Sequence, residues 1–136
     1  MIRLTSTYEG GLLCRATHVP SGTSVVTDAP VDNHGRGESF SPTDLVATAL
    51  GACMLTVIGI VAERHGLDLA GMTSETEKVM SASAPRRIAS LRTRITIPLP
   101  ADHPQRTVLE RVAATCPVHQ SIHPEIDAPV EFIWTG

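Results

Sequence analysis

Polar and apolar positions divide the chain into strand-like and helix-like segments. Residues 88–99 alternate most cleanly. Leu91, Thr93, Ile95, Ile97 and Leu99 fall on one side, and Ser90, Arg92, Arg94 and Thr96 on the other, the period of two of a half-buried strand. Shorter strand-like runs cover 2–8, 12–17, 23–28, 72–80 and 130–134. Glu9-Gly10-Gly11 and Pro20-Ser21-Gly22 separate the first three. Glycine and proline there are turn chemistry, so the first third reads as a meander. Residues 32–40, which include Asn33-His34-Gly35-Arg36-Gly37, read as a mobile loop.

Two helices interrupt the strands. Ser41-Pro42-Thr43-Asp44 marks a helix start: Ser41 can cap, proline suits the first helical position, and Asp44 stands in capping-box register. That helix is expected over 42–65, with Gly66 ending it. A second is expected over 104–115, with Val108, Leu109 and Val112 inward, and Pro117 begins a further short turn. The predicted order is β-β-β-α-β-β-α-β. Two helices are too few for a doubly wound sheet, so the class is α+β, in one domain spanning 1–136.

The first helix raises a question of environment. Its stretch 45–62 carries no charge over 18 residues, the lower edge of a membrane span. Thr48, Gly51, Thr56, Gly59, several alanines and the lack of a flanking aromatic belt favour a buried central helix. A helix apolar on every side must be covered on every side. One chain of 136 residues has little material for that, so a homodimer in which each copy covers the other is expected.

Composition narrows the partners. Net charge is −3, Lys78 is the only lysine against ten arginines, and aromatics make up 3%. With no basic stripe and few rings for stacking, neither nucleic acid nor an anionic membrane is expected as a partner. The start has no basic region followed by an apolar run, so a cytoplasmic location is expected. In that compartment three cysteines are free or catalytic rather than structural disulfides.

Cys53 lies in the most apolar helix and Cys116 just before Pro117. Taken alone, a buried Cys53 is an inert core filler unless a cation stands beside it. Cys116 can cap the turn that Pro117 opens, and backbone N–H groups aimed at its sulfur would lower its pKa. Cys14, on the second strand, reads as structural. If the fold brings Cys53 and Cys116 together, the chain is a thiol redox device. Two other readings stay open. Cys116, His119 and His123, with Cys53 as fourth ligand, have spacings that could converge on zinc, although Pro124 disfavours helix at His123 and no CxxC exists. A Cys-His pair for acyl transfer has no local signature.

The run from Ser41 to Cys53, followed by Thr115-Cys116-Pro117-Val118-His119, resembles the OsmC/Ohr family, and its Cys-Pro-Val-His form is similar to the broad OsmC-like branch. The resemblance implies an OsmC-like fold: an intertwined homodimer, a long central helix packed on sheet, and active sites shared between subunits. It implies a cofactor-free peroxidase that reduces organic hydroperoxides. Cys53 would become a sulfenic acid and then a disulfide with Cys116, reopened by a dithiol reductant such as a lipoyl group. It also implies an arginine and an acid beside Cys53, for which Arg36 or Arg15 and Asp44 or Glu38 are the candidates. The alternative within the same family is a non-enzymatic or differently specific dimer that binds an apolar ligand. No metal or organic cofactor is called for.

Overall fold

The computed structural model describes residues 1–136. Ten elements follow one another: β1 (Leu4–Gly10), β2 (Leu13–His18), β3 (Ser24–Asp28), a 3-10 turn (Val31–Asn33), α1 (Pro42–Arg64), β4 (Thr73–Met80), β5 (Ile88–Ile97), α2 (Arg106–Ala113), α3 (Pro117–Ser121) and β6 (Val130–Trp134). The chain separates into two compact units, Met1–Val46 and Ala47–Gly136.

The first unit is an antiparallel meander in the order β1-β2-β3. Its turns sit where glycine can adopt a left-handed backbone, at Gly10 (φ 84°), Gly11 (φ 61°) and Gly22 (φ 74°). The loop after β3 departs from the expectation of a mobile segment. Asn33 and Gly35 donate N–H bonds to Pro30 O, Gly37 donates to Ala29 O, and Asp28 N–H to Phe40 O. Glu38 N–H donates to Asp28 Oδ2 at 3.1 Å and the Ser39 hydroxyl to Val26 O at 2.8 Å. Gly35 serves close packing: a Cβ there would sit 1.7 Å from Ala29 O. The glycines let the loop fold onto itself.

The start of α1 forms the expected capping box. Asp44 N–H donates to Ser41 Oγ at 3.1 Å, and Ser41 N–H donates to Asp44 Oδ2 at 2.9 Å. Gly66 ends the helix in the left-handed region (φ 69°). Leu67 N–H reaches Ala62 O at 2.9 Å and Gly66 N–H reaches Glu63 O at 3.0 Å, the paired bonds of a Schellman cap.

In the second unit the strands run β4-β5-β6, with β4 antiparallel and β6 parallel to the central β5. The alternation read from the sequence holds. Leu91, Thr93, Ile95 and Ile97 are buried, while Arg92 and Arg94 are exposed. On the solvent side Arg94 stands between Glu75 (4.0 Å) and Glu131 (3.3 Å). The core is Leu50, Met54 and Ile58 of α1 with Leu91, Ile95 and Ile97 of β5 and Leu109 of α2, all fully buried. Gly51 brings α1 down onto β4, since a Cβ there would stand 2.8 Å from Ser74 Oγ. α2 buries Leu109 as expected, but Val112 only half, and its stripe does not include Val108. Leu109 and Ala113, four apart, form its buried stripe, and Val108 is exposed, because one turn of helix separates the positions that face the sheet. That helix is also shorter than its pattern suggested, 106–113 rather than 104–115.

Candidate functional site

Cys53 lies three turns into α1, on the rim between its buried residues and its exposed ones. Leu50 and Met54 beside it are buried, Ala49, Ala52 and Thr56 are exposed, and Cys53 itself is half-buried. Cys116 is fully buried and forms the N-cap of α3, with Pro117 in the first turn as the sequence indicated. The fold brings these two residues, 63 positions apart in sequence, near enough for their thiols to interact, and the Cys53 thiol helps to keep the Cys116 proton in place. Both are free thiols, as is Cys14. Cys14 stays in the meander, paired across the strands with Tyr8 and Thr27.

The electrostatics of Cys116 reverse one expectation. The N–H groups of Val118 and His119 do stand near the sulfur and favour its thiolate, although neither forms an aligned capping hydrogen bond. Burial outweighs them and the Cys53 thiol adds to it, so the Cys116 thiol is pushed above the ordinary value. The physical reason is desolvation: a thiolate without water loses more than two oblique N–H groups return.

The zinc arrangement is not formed. No three His, Cys, Asp or Glu side chains come close enough to hold a metal ion. α3 ends at Ser121, so His123 lies beyond the helix, exposed, where its Nδ1 accepts the Glu125 N–H at 3.0 Å. His119 is half-buried, and its Nδ1 is buried without a hydrogen-bond partner.

The four charged candidates lie in the first unit. Arg15, on β2, is tied to Glu9 at 3.2 Å. Arg36 is exposed at the tip of the hydrogen-bonded loop and makes no ion pair. Glu38 is exposed, its backbone held by Asp28. Asp44 engages Oδ2 in the cap of α1. Sequence reasoning passed over Asp28, only 2% exposed. Its Oδ2 closes the loop that carries Arg36 and Glu38, and its Oδ1 is buried with no partner. The available signal was an acid ending a strand just before Ala29-Pro30, a place where a side chain can organise the following turn.

The chain matches the profile of the OsmC-like protein family over residues 35–131. It belongs to that family, as the resemblance of the Ser41–Cys53 run and the Cys116-Pro117-Val118-His119 segment indicated. No curated protein sequence matches it. Among solved structures, a Psychrobacter arcticus protein assigned provisionally to the osmotic stress induced and detoxification response is 46% identical, with a TM-score of 0.91, over 97% of this chain and 96% of that one. The fold is shared at 15% identity with the Legionella pneumophila organic hydroperoxide resistance protein OsmC (TM-score 0.78; 98% and 96% of the two chains). An organic hydroperoxide resistance protein from Elizabethkingia anophelis is likewise 15% identical (TM-score 0.77; 98% and 95%).

Proposed function

We propose that this protein is a cysteine-based peroxidase that reduces organic hydroperoxides. The observation that carries the reading is the interaction between the Cys53 and Cys116 thiols. The Cys53 thiolate attacks the outer oxygen of the hydroperoxide ROOH. An S–O bond forms, the O–O bond breaks, and the alkoxide leaves as ROH after taking a proton. The Cys116 sulfur then attacks the sulfenic sulfur of Cys53. An S–S bond forms, and the hydroxyl leaves as water with the proton that Cys116 gives up. A dithiol of the lipoyl kind reduces the disulfide and is itself oxidised.

Arg36 is the proposed cation for the first step, because it has no competing carboxylate, whereas Arg15 is held by Glu9. Glu38 and Asp44 are the proposed acids that orient it. The functional unit in this proposal is an intertwined homodimer with shared sites, working in the cytoplasm. Ala49, Ala52, Thr56 and Ile60 leave an apolar stripe of α1 uncovered in one chain, and only 33% of that apolar stretch is buried. A second copy would cover it, and an apolar surround near Cys53 would favour organic over inorganic peroxide.

Thiol counting tests the reading. After one equivalent of cumene hydroperoxide, the wild type should lose two of its three thiols. Cys53→Ser should lose none, and Cys116→Ser should hold a trappable sulfenic acid. An unchanged wild-type count would sink the peroxidase and favour a dimer that binds an apolar ligand without chemistry.

A further inference from the structure

We propose that His119 takes the proton of Cys116 when the two thiols join, and hands it to the group that leaves Cys53. The inference takes from the preceding reading only that Cys53 and Cys116 can form a disulfide. A thiol must lose its proton to act as a nucleophile. Cys116 is fully buried, so bulk water does not reach its sulfur. Burial and the neighbouring Cys53 thiol both hold the proton on. Once Cys53 carries an oxidised group, the proton must leave before Cys116 can attack, and a base inside the fold has to receive it.

His119 stands at the third position of α3, three residues after the N-cap Cys116. The start of α1 shows what a side chain there can reach. Asp44 holds the same position, and its Oδ2 accepts the N–H of its own N-cap residue, Ser41, at 2.9 Å. Histidine Nδ1 lies as many bonds from the backbone as aspartate Oδ2. In α3 the matching bond is missing, because Cys116 N–H donates to Ala113 O at 3.3 Å instead. Nδ1 of His119 is therefore buried beside the N-cap residue with nothing to accept, a state that few buried polar atoms occupy. In the Nε2–H tautomer it presents a free lone pair, and imidazole is the commonest side-chain base. The other histidine of this segment is unsuited: His123 is exposed, and its Nδ1 already accepts the Glu125 N–H at 3.0 Å.

In the reduced protein the two groups are not hydrogen-bonded, and the step begins when the Cys116 thiol turns from Cys53 toward Nδ1. The S–H proton passes to Nδ1, and the electron pair left on Cys116 forms the S–S bond to Cys53. The bond from Cys53 to its leaving group breaks. That bond is S–O in a sulfenic acid and S–N in an adduct with an azo oxidant such as diamide. The departing electron pair takes the proton from Nδ1 and leaves as water or as the hydrazine, so His119 ends as it began.

Diamide tests the step without any hydroperoxide. It adds to Cys53, and Cys116 then closes the disulfide. Intact-mass measurement on acid-quenched samples follows adduct and disulfide separately. His119→Gln and His119→Asn keep a hydrogen-bond acceptor but cannot hold a proton at neutral pH. In both, addition to Cys53 should keep its wild-type rate, while closure should slow by roughly a hundredfold and the adduct accumulate. The gap should narrow at about pH 10, where hydroxide supplies the base. Closure at the wild-type rate in either variant overturns the proposal. So does a defect of equal size at every pH, which marks a structural role. A wild type that closes through His119 with diamide yet ignores cumene hydroperoxide would remove the peroxidase reading and leave this one standing.

Discussion

Two glycines of α1 provide a matched test of how that helix is seated. In a helix interior, glycine costs about 0.5–1 kcal/mol relative to alanine, so Gly→Ala ordinarily stabilises. At Gly59 nothing lies within 4 Å of an added Cβ, and Gly59→Ala should stabilise by up to about 1 kcal/mol. At Gly51 the same methyl would stand 2.8 Å from Ser74 Oγ and 3.1 Å from Thr76 Oγ1. Thr76 cannot turn away freely, because its hydroxyl is paired with that of the fully buried Thr93 at 3.2 Å. Overpacking of this kind costs about 1–3 kcal/mol. Set against the helix gain, Gly51→Ala should destabilise by up to about 2 kcal/mol, and because that gain is common to both variants they should lie about 1–3 kcal/mol apart. Urea unfolding measures the difference, repeated at several protein concentrations so that any contribution from subunit association shows as a concentration dependence. Ser74→Ala should rescue Gly51→Ala in part, since it removes the 2.8 Å contact and leaves that with Thr76 Oγ1 at 3.1 Å. If both glycine variants gain equally, the close seating of α1 on β4 is wrong, and with it the placement of Cys53 two residues further on.

Other expectations concern charge and the loop. The Cys116 thiol is held above its ordinary value of 9.0, so above that pH the unfolded chain releases a proton the folded one keeps. Reduced protein should lose stability as pH climbs from there through the raised value, and Cys116→Ala should flatten that slope in urea titrations; an unchanged slope would refute it. Glu110 Oε1 accepts from Trp134 Nε1 at 2.9 Å and from Arg106 Nε at 3.0 Å. Glu110→Ala should cost about 1–2 kcal/mol and shift the emission of the only tryptophan, and no spectral change would show that this link is absent in solution. Asp28→Ala removes the acceptor of Glu38 N–H and should speed tryptic cleavage after Arg36, whereas cleavage at the wild-type rate would mean that Asp28 does not hold the loop.

Much of this was legible in the sequence because its signals are local. Ser41 and Asp44 announced a cap and formed it, Gly66 ended α1, and the alternation of Leu91, Thr93, Ile95 and Ile97 gave the buried face of β5. Where distant groups decide the outcome, the reading fell short. Arg36 sits between two glycines that looked like hinges, yet one of them is needed for close approach to Ala29, a contact no local pattern encodes. The Cys116 thiol was expected to shift down because its N-cap position is visible in sequence, whereas the depth of its burial is a property of the whole unit. The meeting of Cys53 with Cys116 followed from family resemblance. Spacing alone cannot place a residue of α1 against the N-cap of α3.

The parallel pairing of β6 with β5 bears on how the chain is made. Thr93 finds its neighbour at Val130 and Ile97 at Trp134, whereas every pairing in the opening meander joins strands adjacent in sequence. Local closures form early and distant ones late. On the ribosome the meander can assemble while synthesis continues, but one edge of β5 stays unpaired until residues 130–134 emerge. A chain truncated before residue 130 would carry that open edge permanently, and self-association of such fragments is the expected fate.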